Sequence, residues 1–576
     1  MKSQSGKCFD GKASCLPNFT PVKTTTLLLA KIFAIAVLLA FPFALFVDSV
    51  DAQLPPGSIM TVGTASSHFV SIPLGQMSTC PTPTPTPLAR AAKKEPGGNF
   101  LSDPIVSFEG LHLGELHSGC SYFPRVAASD DSGAAGFDNY VQVVNGAIAV
   151  YDKSGNVLTG PISETTFWAN QPDCAGIYTF GDAVVRFDRY ANRWIISSPG
   201  AGPFAQDLCM AVSQTPDPTG SYDQYAFGVN NIANGLFGFL NDYAKPSVFP
   251  DAYYATGDPN RIFTGIGNTI SAFERAAMLA GNPAPQFVTF FVPAPRNLPP
   301  QITHSHMLAA DLDGTRLPSP DTPEYVVQVQ DSHFGFPADR LQVYEFHVDW
   351  NSPMSSTLIP TQSLVPLPFN SNACTDQSCI EQPEVNQVTN LLDSLSYGYM
   401  MQRLTYRNFG PRQSLLFNHT VAADGDPSQN HAGIRWYELR MTTRGQTRSP
   451  WEIYQQGTYA PDINDRWLGS IAMDRMGNIA LGFNVSGANV YPSIHYAGRR
   501  PTDPLGTLPL GELSLIDGEG VQLHGVFFGD YSQMTIDPVD DCTFWYTGTY
   551  YPTTTTPYDW HTRIGSFRFS NCPGRE

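Results

Sequence analysis

The sequence lacks the short motifs that mark several large enzyme classes. It contains no GxSxG nucleophile elbow, no Walker loop, no HExxH motif and no Rossmann glycine fingerprint. Each of these motifs places specific groups at a fixed spacing for one kind of chemistry. No serine stands in a recognisable nucleophile context, so a Ser/His/Asp triad cannot be named. Whether the protein is an enzyme is therefore left open at this point.

Charged residues are also scarce, at 15% of the chain, which is too few for a disordered or coiled-coil protein. The formal net charge is −18, and the body of the chain has no run of lysines and arginines. Negative charge disfavours contact with nucleic acid and with anionic membrane surfaces. We therefore expect no nucleic-acid partner and no membrane contact beyond an export segment, and we interpret the charge as a solubility feature.

One long apolar run is present, at Ile32–Val47, and five lysines precede it between Lys2 and Lys31. A basic stretch followed by an apolar stretch is typical of a signal peptide. We predict that residues 1–52 are this peptide and that the mature chain begins near Gln53, with an uncleaved signal anchor as the alternative. Both predictions place the body of the protein outside the cell.

The cysteines agree with export, because an even number in an exported chain predicts disulfides. No CxxC pair is present, so we predict no cysteine metal site. Eight cysteines follow the leader: Cys80, Cys120, Cys174, Cys209, Cys374, Cys379, Cys542 and Cys572. Proximity favours Cys174–Cys209, Cys374–Cys379 and Cys542–Cys572, although many other connectivities stay open.

Three segments share one outline: Gly181–Ser197, Gly469–Asn484 and Gly529–Thr547. Each runs from glycine through an alternating strand to an aspartate, turns through polar residues and returns as an apolar strand, which is typical of a hairpin. Asp188, Asp474 and Asp537 end these first strands, where we expect them to fix the turns.

The hairpins recur at a steady spacing, since 251 − 188 = 63, 313 − 251 = 62 and 537 − 474 = 63 for successive aspartates. A long steady period predicts an all-β, β-propeller fold with four-stranded antiparallel blades. We favour six blades, with seven as the alternative, because the 161 residues from Asp313 to Asp474 hold about two and a half steps. Residues 53–99, which include the CPTPTPTP tract, are predicted to be a Pro/Thr-rich linker, and residues 100–576 the propeller domain.

In a propeller, the loops that enter the innermost strands surround one mouth of the central channel, where we expect ligands. The residues that these loops offer are Asp182, Lys245, His304, His306, Arg403, Arg466, Trp467, Asp530 and Tyr531. The alternative is an ordinary polar channel rim.

Metal or cofactor binding has little support in the sequence. His304 and His306 lie on one side of a strand but lack an identifiable third ligand, so we prefer polar contacts to zinc or copper. The segment Asp311–Gly314 hints at Ca²⁺ without the spacing of an EF-hand loop. No other cofactor is predicted.

Two resemblances add to this interpretation. Phe187-Asp188 before Trp194, and Ile536-Asp537 before Phe544-Trp545, resemble the hairpins of sialidase-like six-bladed propellers, although a complete aspartate box is absent. That resemblance implies a glycan substrate bound by three arginines, and the available arginines are Arg186, Arg403, Arg435 and Arg466. Residues 130–570 also resemble large secreted bacterial propellers without an established activity, in phrases such as GTYAPDINDRWLGSIAMDRMGNIALGFN.

The sequence thus predicts a secreted or cell-surface propeller, expected to be a monomer, that binds extracellular glycan or protein at its channel mouth. The alternative is a sialidase-like glycoside hydrolase or a polysaccharide lyase. A structural envelope or matrix component is a third interpretation.

Overall fold

A computed structural model describes thirteen stretches of the chain: residues 53–80, 100–113, 128–175, 181–200, 207–229, 241–259, 267–294, 307–373, 380–383, 399–444, 447–523, 528–554 and 559–572. The predicted leader, Cys120, His304, His306, Cys374 and Cys379 lie outside these residues. In the stretches above, no helix is both long enough and apolar enough to cross a bilayer.

Strands dominate the described residues. In chain order they are β1 (Ile59–Thr64), β2 (Ser67–Val70), β3 (Val106–His112), β4 (Ser132–Ala135), β5 (Asn139–Val144), β6 (Ala147–Asp152), β7 (Val157–Ser163), β8 (Val184–Asp188), β9 (Arg193–Pro199), β10 (Leu208–Ser213), β11 (Tyr222–Phe227), β12 (Asn241–Val248), β13 (Tyr253–Pro259), β14 (Gly267–Phe273), β15 (Gln286–Pro293) and β16 (Met307–Asp313). They continue as β17 (Glu324–Gln330), β18 (Arg340–His347), β19 (Thr357–Leu364), β20 (Met400–Asn408), β21 (Arg412–Ala422), β22 (Ala432–Arg444), β23 (Thr447–Arg448), β24 (Glu452–Tyr459), β25 (Asp465–Met473), β26 (Ile479–Gly487), β27 (Val490–Arg499), β28 (Glu512–Ile516), β29 (Gln533–Ile536), β30 (Phe544–Tyr550) and β31 (His561–Phe567). The helices are α1 (Glu164–Phe167), α2 (Arg275–Leu279) and the 3₁₀ turns Leu74–Gln76, Ser332–Phe334, Pro353–Ser355 and Pro427–Gln429.

The described strands form seven antiparallel groups, which we call blades 1 to 7. Each blade has four main strands: β4–β7, β8–β11, β12–β15, β16–β19, β20–β22 with β24, β25–β28, and β29–β31 with β3. The first strands of consecutive blades contact one another, and β29 of blade 7 contacts β4 of blade 1, so these strands form a closed ring. The predicted all-β propeller with four-stranded antiparallel blades is confirmed.

The favoured count of six blades is not confirmed, since seven groups, the alternative number, occur among the described strands. The early hairpin at residues 140–151 forms β5 and β6 inside a blade of its own. Between Asp313 and Asp474, the described strands are the rest of blade 4, the whole of blade 5 and the first strand of blade 6. Blades 4 and 5 are also joined there, because β16 pairs in parallel with β20 from Ala310↔Leu404 to Asp313↔Arg407.

Two strands arise from the segment that the sequence assigned to a linker. β1 pairs with β15, and β2 pairs with β11, so they form fifth strands at the edges of blades 3 and 2. Pairing covers edges that would otherwise expose free backbone groups. The prediction that residues 53–99 are a linker is therefore wrong for residues 59–70, while residues 81–99 lie outside the described stretches.

The ring is closed by strands from both ends of the chain, because β3 pairs with β31 from Val106↔Ser566 to His112↔His561.

Two of the predicted disulfides are formed, Cys174–Cys209 in blade 2 and Cys542–Cys572 in blade 7. Aromatic side chains fill the spaces between blades: Tyr140 of blade 1 lies 5.3 Å from Trp545 of blade 7, measured between ring centroids.

The repeated aspartates have the turn role that the sequence predicts. Asp188 Oδ1 accepts the backbone N–H groups of Tyr190 and Ala191, each at 3.0 Å. Asp474 Oδ1 accepts those of Met476 at 2.8 Å and Asn478 at 2.9 Å. In the turn after the first strand, these carboxylates accept backbone N–H groups that have no partner in the strand pairing. They therefore stabilise the first hairpin of blades 2 and 6.

Candidate functional site in the central channel

The innermost strands begin with an unusual backbone in several blades. Asp130 (φ 43°) and Asp182 (φ 56°) precede β4 and β8, while Tyr243 (φ 55°) lies in β12 and Leu468 (φ 53°) in β25. Residues other than glycine rarely adopt positive φ, and such positions concentrate at functional sites. All four lie where a first strand begins, so we define this end of the ring as the channel entrance.

Three carboxylates converge at the entrance. One oxygen each from Asp130, Asp182 and Asp530 lie within 4.8 Å of one another. The backbone N–H of Asp530 donates to Asp130 Oδ1 at 2.6 Å, which fixes the first strands of blades 7 and 1 together. Carboxylate oxygens are ligands that Ca²⁺ prefers, and these three are the described channel residues best suited to hold a cation.

Asn145 holds two of these aspartates in place. Its Nδ2 donates to Asp130, and its Oδ1 accepts the backbone N–H of Asp182 at 2.7 Å. Gly181 makes room for this contact, because it has φ 83° and a Cβ there would lie 2.2 Å from Asn145 Oδ1. The separation of Asp130 and Asp182 is therefore set by the fold.

A lysine and two tyrosines lie beside the carboxylates. Lys245 Nζ lies 3.5 Å from the ring centroid of Tyr243 and 3.7 Å from that of Tyr531, which is cation–π geometry. Tyr531 OH approaches Asp182 Oδ1 at 3.4 Å, and Tyr243 OH donates to the carbonyl oxygen of Asp530 at 3.3 Å. Burial, assisted by the nearby aspartates, raises the pKa of both tyrosines well above the ordinary value, so both hydroxyls stay protonated.

Four residues chosen from the sequence thus lie together: Asp182, Lys245, Asp530 and Tyr531. Sequence reasoning missed Asp130, Tyr243 and Asn145. Aligning the starts of the first strands would have found Asp130, because Asp130-Asp131-Ser132 occupies the same place as Asp530-Tyr531-Ser532.

Arg403 lies deeper, where it helps to fill the channel. Its Nε lies 2.5 Å from Asp311 Oδ2 and its Nη2 lies 2.5 Å from Asp313 Oδ1, while Arg186 Nε lies 3.3 Å from Asp311. Burial raises the pKa of Asp313 and lowers that of Arg186 to about 10, which leaves the guanidinium charged at neutral pH. The arginines already neutralise the two carboxylates that hinted at Ca²⁺ in the sequence.

These ion pairs occupy the end of the channel opposite the entrance. A cavity of about 40 Å³ remains there, lined by Arg186, Asp311, Asp313 and Arg403 among others. That is room for about one water molecule.

The described contacts of Arg466 and Trp467 do not reach the three aspartates, and their place at the mouth stays a prediction. Trp467 is fully buried and packs on Phe528, with ring centroids 5.6 Å apart. Arg466 pairs with Asp462 at 2.8 Å and with Glu512 of β28, the outermost strand of blade 6, at 3.0 Å. The register of β25 with β26 shifts between Trp467 and Ser470.

The four arginines considered for a sialidase-like triad are also dispersed. Arg186 and Arg403 share Asp311, whereas Arg435 bonds Thr458 and Gln456 in blade 5. Arg466 belongs to blade 6. These four therefore do not form a three-arginine carboxylate site.

His495 contacts the carboxylates of Glu512 and Asp517, and this cluster predicts that the stability of the fold depends on pH. Burial opposes the charged form of His495, but Asp517 and Glu512 outweigh burial and raise its pKa above the ordinary 6.5. A histidine whose pKa is higher in the folded than in the unfolded protein stabilises the fold fully at pH values below its unfolded-state pKa. This stabilisation is lost as pH rises through its folded-state pKa. Asp517 is half-exposed, so we expect His495 to contribute about 1 kcal/mol to the free energy of unfolding.

The measurement is urea unfolding of wild type and His495→Gln from pH 5 to 9. We expect the difference between them to shrink as pH rises above 6.5. His347→Gln, at an exposed histidine beside Glu345, is the control and should show no such trend. A difference that stayed constant with pH would contradict the prediction.

Comparisons with known proteins give no family. No protein-family model matches the chain, and no curated protein matches it. Among solved structures, an endo-arabinase from Bacteroides thetaiotaomicron is 10% identical with a TM-score of 0.27, over 57% of this chain and 95% of that one. The GH93 alpha-L-arabinofuranosidase of Fusarium graminearum with arabinobiose is 8% identical with a TM-score of 0.26, over 57% and 92%.

A structure described as the eukaryotic initiation factor matches at a similar level, 9% identical with a TM-score of 0.26, over 83% of this chain and 99% of that one. Proteins with these descriptions serve different purposes, and the TM-scores are low. The propeller assignment therefore rests on the sheet topology of this chain, and function has to be argued from its own residues.

Proposed function

We propose that the protein is an exported propeller that binds the end of an extracellular glycan at its channel entrance. The observation that carries the proposal is the convergence of Asp130, Asp182 and Asp530 beside Lys245 and two tyrosines. Carboxylates accept hydrogen bonds from sugar hydroxyls, and charge-assisted bonds of this kind are about twice as strong as neutral ones. The two disulfides support an oxidising, extracellular compartment.

The burial of the site favours a chain end over the middle of a polymer. Asp130 and Asp182 retain only 5% and 9% of their exposure, and Tyr243, Tyr531 and Lys245 retain 2% or less. Such a site suits one or two sugar units that enter along the channel axis. An extended protein surface would need a broader exposed area, so a glycan fits better than a protein ligand.

Asp182→Asn and Asp530→Asn test the binding proposal, since each keeps the side-chain volume and removes one charge. On a glycan array, and then by calorimetry with the glycan found, we expect each variant to weaken binding at least about tenfold, because a hydrogen bond to a charged group contributes about 1.5–3 kcal/mol. The reason is the loss of a charged acceptor within the three-carboxylate cluster.

Asp426→Asn is the control, since Asp426 caps the exposed Pro427–Gln429 turn between β21 and β22, is not one of the three clustered carboxylates, and should bind like wild type. Unchanged affinity in both entrance variants would overturn the proposed site. Binding to matrix proteins with no glycan binding would overturn the ligand class.

A second function, glycoside hydrolysis, is favoured by the presence of several carboxylates at one place. Retaining glycosidases use two carboxyl groups about 5–5.5 Å apart, and Asp130, Asp182 and Asp530 each bring one oxygen within 4.8 Å of the others. Release of reducing ends from neutral and acidic polysaccharides would distinguish the two functions. If the wild type cleaves a glycan, and Asp182→Asn loses cleavage but still binds the glycan, the protein is a glycoside hydrolase. If the wild type binds a glycan without cleaving it, the protein is a glycan-binding protein.

A further inference from the structure

A second cluster of ligand-type side chains lies at the seam where β3 meets β31, on blade 7. His112 and His561 are directly opposite each other in the antiparallel register. Their imidazole rings stack with centroids 4.5 Å apart and planes 5° apart. Asp559 lies beside them, with Oδ2 at 3.8 Å from His561 Nε2.

A bulge in β3 gathers this cluster. The register steps from Glu109↔Arg563 to His112↔His561, three residues along β3 against two along β31. In a regular strand, residues three apart face opposite sides of the sheet. The extra residue in the bulge returns Glu109 and His112 to the same side, next to His561.

Glu109 fixes the orientation of His561. Its Oε1 lies 2.5 Å from His561 Nδ1, and its Oε2 accepts a hydrogen bond from Tyr550 OH at 2.8 Å. A carboxylate on one imidazole nitrogen leaves the other nitrogen for a metal, and this arrangement is typical of zinc-binding histidines. In His561 the remaining nitrogen, Nε2, is the one that faces Asp559.

We propose that His112, His561 and Asp559 bind one Zn²⁺ ion, with Glu109 as the positioning residue of His561. One ligand atom from each of the three lies within 4.8 Å of the others. Ligand atoms bound tetrahedrally at about 2.1 Å lie about 3.4 Å apart. Binding therefore requires the ligand atoms to move closer and the stacked imidazole rings to turn, because a metal ion lies in the plane of each imidazole that it binds. Imidazole with carboxylate is a donor set that suits zinc, and a fourth position remains for a solvent oxygen. The ion would join β3 to the start of β31.

The opposing interpretation is an ion-paired histidine without metal, and the chain contains a matched example. His495 lies between Glu512 and Asp517, at 2.7 Å and 3.1 Å, as His561 lies between Glu109 and Asp559. That cluster has a single imidazole among its described residues. His495→Ala therefore removes an ion-paired histidine while leaving the proposed zinc site intact.

The experiment is titration of the disulfide-bonded, tag-free protein with Zn²⁺ by calorimetry, and with Co²⁺ by visible absorption. We expect one ion per chain, with affinity reduced by more than about 100-fold in His112→Ala and by at least about tenfold in Asp559→Asn. Asp559→Asn is at a partly exposed position, so it keeps the test valid if His112→Ala fails to fold.

His495→Ala should bind like wild type, and so should Asp182→Asn, which alters the channel entrance. The Co²⁺ complex should show visible d–d absorption bands typical of Co²⁺ bound by histidine nitrogen, and these bands should disappear in His112→Ala. Absence of saturable binding, binding that survives both His112→Ala and Asp559→Asn, or binding lost in Asp182→Asn would each overturn the proposal.

Discussion

Replacing Asp311 with alanine is expected to lower the free energy of unfolding by about 3–5 kcal/mol. Asp311 is 7% exposed at its side chain and pairs with both Arg186 and Arg403. Its Oδ1 also accepts the backbone N–H of Val248 at 2.9 Å, so it joins blades 3 and 4. Without Asp311, Arg186 loses its carboxylate partner, and burial of a charge without its partner is the main source of the loss. Urea denaturation measures it.

Two further variants separate charge from shape. Asp311→Asn keeps the side-chain volume and should still be strongly destabilised, because it leaves the same arginines with less negative charge. Asp321→Ala removes an exposed aspartate that pairs with Arg448 at 3.4 Å, and we expect a change below about 1 kcal/mol. Equal effects of Asp311→Ala and Asp321→Ala would contradict the importance assigned to the buried pairs.

Removing the Cys542–Cys572 disulfide is expected to cost about 3–4 kcal/mol of unfolding free energy, the chain-entropy value for a loop of this size. The two cysteines are 30 residues apart and enclose β30 and β31, and β31 is the strand that pairs with β3. Both cysteines are fully buried, so the double variant Cys542→Ala/Cys572→Ala avoids placing a new polar group in the interior.

The matched control is Cys174→Ala/Cys209→Ala, whose separation of 35 residues gives nearly the same loop entropy in blade 2. Both double variants should be destabilised to a similar extent by urea denaturation under oxidising conditions. If only one double variant lost stability, local strain or packing, rather than loop entropy, would determine how much each disulfide contributes to the free energy of unfolding.

The blade pattern could be predicted because it depends on local rules. Alternating apolar residues, a turn-forming aspartate and a return strand recur at Asp188, Asp474 and Asp537, and the structure has those turns. The short helix α2 begins only at Arg275, since Ser271 and Phe273 continue the alternation of β14.

Long-range pairing could not be predicted in the same way. β1 and β2 are short strands whose partners lie more than a hundred residues away, so only tertiary contact identifies them. For the site, Asp182 and Asp530 followed from their place before inner strands. The contact of Arg466 with Glu512 could not be predicted, because a hairpin pattern does not contain the direction of a side chain.

The pairing of β3 with β31 also constrains how the chain folds. Ser107 bonds Arg563 across 456 residues of sequence, and contacts of such separation slow folding. During synthesis β2 can meet β11 and β1 can meet β15 while later blades are still missing, but β3 must wait for almost the last residues. Until then blade 7 is incomplete and the ring stays open, so a chain that stops before β31 keeps the edge of β3 and one face of blade 1 exposed to other chains.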